Sequence, residues 1–330
     1  MNYQIYLLKA RHLLLVICAA TFSLLTTAEA SVISETIVKR MPVADFDGDG
    51  KADISVFRPS NGFWHIKKSS GGFLSFQWGM ANDKLVPGDY DGDGKTDAAV
   101  HRKLLPFPET GTWYILKSLD FTYISRRWAS NNIGEFDIPV PADYDGDGKT
   151  DLAYYRVTDV VGQPATYFVL QSLTNTGTSE NWGSPSLGDR PVPADYDGDG
   201  RADYAVYRNG VWFILQTSNA ALRVERFGLA TDKVVPGDFD GDKKADIAVW
   251  RPSNGFWYLL LSSDNSIKYI QFGLSDDKPT PDDYDGDGKT DVAVFRPSNG
   301  IWYQQLSSSG FRVEYFGLST DIPIQNVFVR

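Results

Sequence analysis

A nine-residue acidic pattern, Asp-x-Asp-Gly-Asp-x-x-x-Asp, starts at Asp45, Asp89, Asp143, Asp195, Asp238 and Asp283. Successive starts lie 44, 54, 52, 43 and 45 residues apart. Self-similarity at a period near 45 means that each unit must bury its apolar faces against its neighbours, and the period is in the range of propeller blades. No other feature limits the possible folds as strongly.

The fifth unit serves as a specimen. Residues 234–238 read as a short strand ending at the acidic loop, 247–250 as a second strand closed by Arg251, 256–261 as a third and 267–272 as a fourth. Pro252-Ser253-Asn254-Gly255 is a turn between the second and third. Four strands per unit make one propeller blade. The second strand is apolar on both sides, as expected where blades stack face to face. Ser55, Ala99, Ala153, Ala205, Ala248 and Ala293 share one small slot in it, which implies close packing.

The predicted fold is therefore all-β, a β-propeller of four-stranded blades with six full repeats. The units run over about 42–85, 86–139, 140–191, 192–234, 235–279 and 280–320. The tail Ile322-Pro323-Ile324-Gln325 looks like the start of another unit whose acidic loop is deleted, and 32–38 resembles an outer strand without a blade. The sequence favours a degenerate seventh blade, made from 321–330 and 31–41, over a ring of six.

Carboxylates at loop positions 1, 3, 5 and 9 are expected to converge on one point, with a backbone carbonyl added at position 7. Such hard oxygen donors suit Ca²⁺, which takes 6–8 oxygens in flexible geometry. The loops hold no thiolate or imidazole, which disfavours zinc and copper. The candidate ligands are Asp45, Asp47, Asp49, Lys51 and Asp53; Asp89, Asp91, Asp93, Lys95 and Asp97; Asp143, Asp145, Asp147, Lys149 and Asp151. In the second half they are Asp195, Asp197, Asp199, Arg201 and Asp203; Asp238, Asp240, Asp242, Lys244 and Asp246; Asp283, Asp285, Asp287, Lys289 and Asp291. An EF-hand would need Glu at position 12 and flanking helices. Position 12 is instead Val56, Val100, Tyr154, Val206, Val249 or Val294, inside an apolar strand. In the fifth loop Lys243 stands where the others have a turn glycine, so that site is expected to be the weakest.

Phe227-Gly228, Phe272-Gly273 and Phe316-Gly317, segments such as Val235-Pro236-Gly237-Asp238, and the acidic loops together resemble the FG-GAP/VCBS repeat family. That family includes the propeller of integrin α-subunits. The resemblance covers essentially the whole chain beyond residue 30. It implies calcium loops that join the first and second strands of each blade on one face. The chain looks like a stand-alone, bacterial-type secreted propeller without attached domains.

Residues 1–30 read as an export signal. Lys9, Arg11 and His12 form a basic start, 13–25 an apolar core, and Ala28-Glu29-Ala30 a small-x-small cleavage site. The apolar run is shorter than the ~20 residues that span a bilayer, so no transmembrane span is expected and the mature protein is expected to be extracellular, periplasmic or on the cell surface. Cleavage removes Cys18, the one cysteine, leaving metal and core to stabilise the domain. The net charge of −10 argues against a nucleic-acid partner.

Other repeated slots read as structural. Arg58, Arg102, Arg156, Arg208, Arg251 and Arg296 end the second strands, and Asp83, Asp232, Asp277 and Asp321 are candidate partners. Trp64, Trp113, Trp212, Trp257 and Trp302, with Tyr167, share one slot of the third strand, expected to pack between blades. His65 and His101 fall in slots that elsewhere hold packing aromatics, so no catalytic residue is assigned.

Units two and three break the symmetry. Their turns after the arginine run to Trp113 and Tyr167, where other units close with a short turn. Leu104, Leu105, Phe107, Val160 and Val161 in these turns are candidate ligand contacts on the face opposite the acidic loops. The favoured function is non-enzymatic binding or adhesion to a glycan or a surface protein. A calcium-containing propeller lyase or hydrolase acting on polysaccharide, and a purely structural secreted repeat protein, are the alternatives.

Overall fold

A computed structural model describes residues 43–104, 110–128, 135–158 and 162–329. The described residues form six antiparallel sheets of four strands each. In the fifth blade the order is Lys233–Val234, Ile247–Arg251, Phe256–Leu260 and Ile267–Gln271, with each strand paired to the next. The second strand is buried along both faces, whereas the fourth strands are largely exposed and form the outer edge. The first strands, of two residues in every blade but the third, lie at the opposite, axial edge. All six residues of the small slot are fully buried. The architecture is thus an all-β, six-bladed propeller, and no helix among the described residues is long and apolar enough to cross a membrane.

The seventh blade is not formed by the described residues. Ile322–Pro323 pairs with Ile54–Arg58 and supplies the missing first strand of blade one. The tail is therefore the start of a unit, as its sequence suggests, but it completes an existing sheet instead of opening a new one. This joins the two ends of the ring and leaves no unpaired inner edge on blade one. Residues 1–42, which include the export signal and the 32–38 segment, lie outside the described residues.

Blades two and three differ from the rest. Their second strands, Ala98–Leu104 and Leu152–Thr158, have 7 residues where the other blades have 5. In blade two the added rungs pair Lys103 with Gly111 and Leu104 with Thr110. In blade three a longer first strand, Glu135–Pro139, pairs with the extension. The long turns expected from the sequence thus begin as two-rung extensions of the sheets. Leu105, Phe107, Val160 and Val161 lie outside the described residues.

Candidate metal centres

Each acidic loop is shaped by its first aspartate. Asp45 accepts the Gly48 N–H on Oδ1 at 2.6 Å and the Gly50 N–H on Oδ2 at 2.8 Å. Asp89, Asp143, Asp195, Asp238 and Asp283 accept the equivalent pairs of N–H groups. The position-9 aspartate ties the loop to the blade. Asp53 accepts the Phe46 N–H at 2.9 Å and the Ser69 N–H, from the turn between third and fourth strands, at 2.7 Å. The same two bonds recur at Asp97, Asp151, Asp203, Asp246 and Asp291.

That turn contributes a residue the sequence reading missed. The hydroxyls of Ser69, Ser118, Ser172, Thr217, Ser262 and Ser307 donate to the position-5 carboxylates of their own blades. The signal was present as a Ser or Thr recurring just after every third strand. In four of the loops, one oxygen each from positions 1, 3 and 9 lies within 4.8 Å of the others: Asp45, Asp47 and Asp53; Asp89, Asp91 and Asp97; Asp143, Asp145 and Asp151; Asp238, Asp240 and Asp246. In the fourth loop the group is Asp195, Asp197 and Asp199. Position 5 is also engaged by the turn hydroxyl and by the N–H of position 7, in the fourth loop as in the others.

These groups are poor anions on their own. Burial pushes Asp53, Asp97, Asp151, Asp203, Asp246 and Asp291 up to about 6. Burial also raises Asp45, Asp89 and Asp283, and neighbouring carboxylates add to the effect. Asp91 Oδ2 and Asp285 Oδ1 are buried with no hydrogen-bond partner. Clustered, desolvated carboxylates with orphaned oxygens are suited to a hard divalent cation, and an all-oxygen donor set fits Ca²⁺.

Two loops carry local complications. Lys243 sits at φ +73°, beside values of +80° to +86° for Gly50, Gly94, Gly148, Gly200 and Gly288. Its N–H still reaches Asp238 Oδ2 at 2.8 Å, so the lysine adopts the glycine conformation with the steric strain that implies. In the fourth loop Arg201 forms an ion pair with Asp199 at 2.6 Å, placing a cation against one of the converging carboxylates.

The loops are also joined to one another. The position-8 N–H of each loop donates to the position-1 carbonyl of the preceding one: Thr96 to Asp45, Thr150 to Asp89, Ala202 to Asp143, Ala245 to Asp195 and Thr290 to Asp238, all at 2.6–2.7 Å. Ala52 to Asp283, at 2.7 Å, closes the circle. The position-7 side chains follow the same path. Lys95 lies over Gly48 and, at the closure, Lys51 lies over Gly286. A Cβ at either glycine would meet the lysine stem at about 3 Å, so glycine at position 4 makes room for the neighbouring cation.

At the other end of the blades, all six arginines are paired. Arg58 binds Asp321, Arg102 binds Asp83, Arg156 binds Asp137, Arg208 binds Asp189, Arg251 binds Asp232 and Arg296 binds Asp277. The sequence reading named four of the aspartates and missed Asp137 and Asp189, which sit in the units with irregular exits. Five of the guanidinium groups also lie over an aromatic ring, as Arg251 does over Tyr258 at 4.2 Å. His65 occupies that ring's slot in blade one and bonds Ser75 Oγ at 3.0 Å. His101 is 2 % exposed beside the Trp113 ring, and burial holds it down to about 4. The five slot tryptophans are fully buried, and each donates its Nε1–H to a carbonyl at the end of its blade, such as Trp212 to Phe227 at 2.9 Å.

Among solved structures, a streptogramin B lyase is similar over 85 % of this chain and 86 % of its own, at 10 % identity and a TM-score of 0.47. A catalytically inactive virginiamycin B lyase from Staphylococcus aureus, with quinupristin, is similar over 88 % and 95 %, at 8 % identity and 0.47. BBS1N in complex with ARL6DN is similar over 85 % and 83 %, at 12 % identity and 0.48. Likeness at this level transfers no chemistry. No curated protein matches the chain. The FG-GAP-like repeat family matches residues 45–100, which span the first acidic loop, the rest of blade one and the second loop. The same loop and strand order recur through the other blades, so the FG-GAP-like repeat of residues 45–100 is one of six similar units in a six-bladed propeller.

Proposed function

We propose that the protein is an exported, Ca²⁺-stabilised propeller that acts as a non-enzymatic binding or adhesion module for an extracellular glycan or surface protein. The metal part rests on the convergence of aspartate oxygens in the loops, with up to six ions held. The binding part rests on one observation: two of six blades carry second strands lengthened by two residues at the end away from the loops, paired in blade two with the third strand and in blade three with the first. A ligand contact needs a place that differs from its copies, whereas the sixfold slots are consumed by packing and ion pairs. Leu104, Leu105, Phe107, Val160 and Val161 are the proposed contacts there.

The test is a glycan and protein binding screen in millimolar Ca²⁺, followed by replacement of residues 103–111 with the short Pro-Ser-Asn-Gly turn of blade five. Because blades one, five and six close with that turn, the trimmed protein should keep its fold and Ca²⁺ response. It should lose binding to whatever the screen finds. Undiminished binding would move the ligand site elsewhere, and release of new reducing ends or unsaturated products would replace binding with catalysis.

A further inference from the structure

The residue that follows each arginine-bound aspartate lies in the first, axial strand of its blade, opening it in every blade but the third. Around the ring these residues are Ile322, Lys84, Ile138, Arg190, Lys233 and Lys278. Four of six are cationic in a chain whose net charge is −10. They lie at the end of the strands away from the acidic loops. Their nearest carboxylates do not neutralise them, because Asp83, Asp137, Asp189, Asp232, Asp277 and Asp321 are each committed to an arginine. Among the blade-to-blade connections whose side chains are described, Asp276 is the one additional carboxylate.

Two of the four cations are partly withdrawn from water and donate their hydrogen bonds to backbone carbonyls. Arg190 reaches across to the next blade and donates from Nη1 and Nη2 to the Asp232 carbonyl, at 3.3 and 3.2 Å, while lying over the Tyr207 ring. Lys278 likewise donates to the Asp321 carbonyl of the next blade at 3.1 Å. Burial lowers the proton affinity of both side chains. Both contacts cross from one blade's axial strand to the next, which places the cationic heads at the seams around the axis. Lys84 and Lys233 are exposed beside them.

The geometry points to an oxyanion-binding site on the propeller axis, at the end away from the acidic loops, formed by Lys84, Arg190, Lys233 and Lys278. Cations gathered from separate blades bind a multiply charged oxyanion because each adds a direct charge-assisted hydrogen bond and their fields add at the axis. The shared ligand chemistry is a carboxylate or sulfate group. The inference goes beyond the proposed function and depends on neither the metal loops nor the lengthened strands.

Fluorescence anisotropy of a labelled oligoglutamate peptide against the full mature chain, at low salt and saturating Ca²⁺, tests it. Wild type should bind. Lys84→Glu combined with Lys233→Glu should weaken binding by about tenfold or more, and the milder Lys84→Gln with Lys233→Gln by several-fold. Lys268→Glu, an exposed charge reversal on the outer strand of blade five, should leave binding nearly unchanged. Competition by inorganic sulfate would identify a general oxyanion site, and its failure to compete a site selective for carboxylates. No binding by wild type, or equal losses in the axial and outer-strand variants, would overturn the proposal.

Discussion

Withdrawing Ca²⁺ should destabilise this propeller far more than loss of one surface site would. Extracellular calcium modules commonly bind at 10⁻⁴–10⁻³ M. At ten times the dissociation constant each occupied loop adds about 1.4 kcal/mol by mass action. Six loops then contribute about 8 kcal/mol, comparable to the ~5–15 kcal/mol stability of a whole domain. At ~2–4 °C per kcal/mol for a chain of this size, EGTA should lower the melting temperature by on the order of 20 °C. The pH response should also change sign with the metal. Without Ca²⁺, the position-9 aspartates have folded values of about 6, raised by burial above the unfolded value of 3.8. A raised value means the folded state holds more protons, so this contribution is fully present below the unfolded value and is lost as pH rises through about 6. In EGTA the protein should therefore melt higher at pH 5.5 than at pH 7.5. With saturating Ca²⁺ the order should reverse, since protons then compete with the ion. Differential scanning calorimetry across the two pH values, with and without chelator, reads both effects. A melting temperature indifferent to EGTA would refute the metal reading, and a chelated protein that melts lower at acidic pH would refute the electrostatic account of the loops.

Lys243→Gly should stabilise the protein more in Ca²⁺ than in EGTA, because it relieves a left-handed lysine worth about 1–2 kcal/mol of strain in both conditions but removes a nearby positive charge only where an ion is bound; equal shifts in the two melting curves would leave backbone strain as the whole effect. Arg251→Ala should cost about 3–5 kcal/mol in denaturant unfolding, since it strands the fully buried Asp232 carboxylate, and a loss below about 1 kcal/mol would show that the arginine ring is not a clasp. Asp282→Ala should cost about 1–3 kcal/mol in the same assay, and less in a Val43→Pro background, where one of the two N–H groups that Asp282 Oδ1 accepts is gone and only that of Asp283 remains.

Sixfold features were legible in the sequence because each had six chances to show itself. The acidic loops, the small slot, the arginine slot and the tryptophan slot could all be read by laying the units over one another, and the structure places each in one recurring environment. Features involving a single unit, or a pairing across the ring, were not. Arg102 and Asp83 are 19 residues apart, whereas the equivalent Arg58 and Asp321 are 263 apart. Local repetition predicts the first pair directly. The second follows only once the ring is known to close through the C-terminal strand. The same gap explains the seventh blade. The tail was recognised as a first strand, but nothing local says that the sheet it completes is blade one. The recurring hydroxyl below each loop was visible and went unused, because a Ser or Thr in a turn looks like ordinary turn chemistry until the carboxylate it meets is located.

Closure by the C-terminal strand also accounts for the most unusual buried residue in the chain. Two residues before each acidic loop stands Pro87, Pro141, Pro193, Pro236 or Pro281, which has no N–H to satisfy. Blade one has Val43 there, because its chain enters the loop without having formed the first strand. Val43 therefore brings a backbone donor to a place built for none. One residue before the loop, Ala44, Gly88, Ala142, Ala194 and Gly237 are small, but the last unit has Asp282. Its Oδ1 accepts the Val43 N–H at 3.1 Å from across the junction. The bond is held at the expense of a buried carboxyl whose value is pushed up to about 8, and whose Oδ2 has no partner. The exception in the first unit and the exception in the last are thus one feature. A ring that starts in mid-blade must satisfy a donor that its other blades never expose, and the neighbouring acid is where that donor goes.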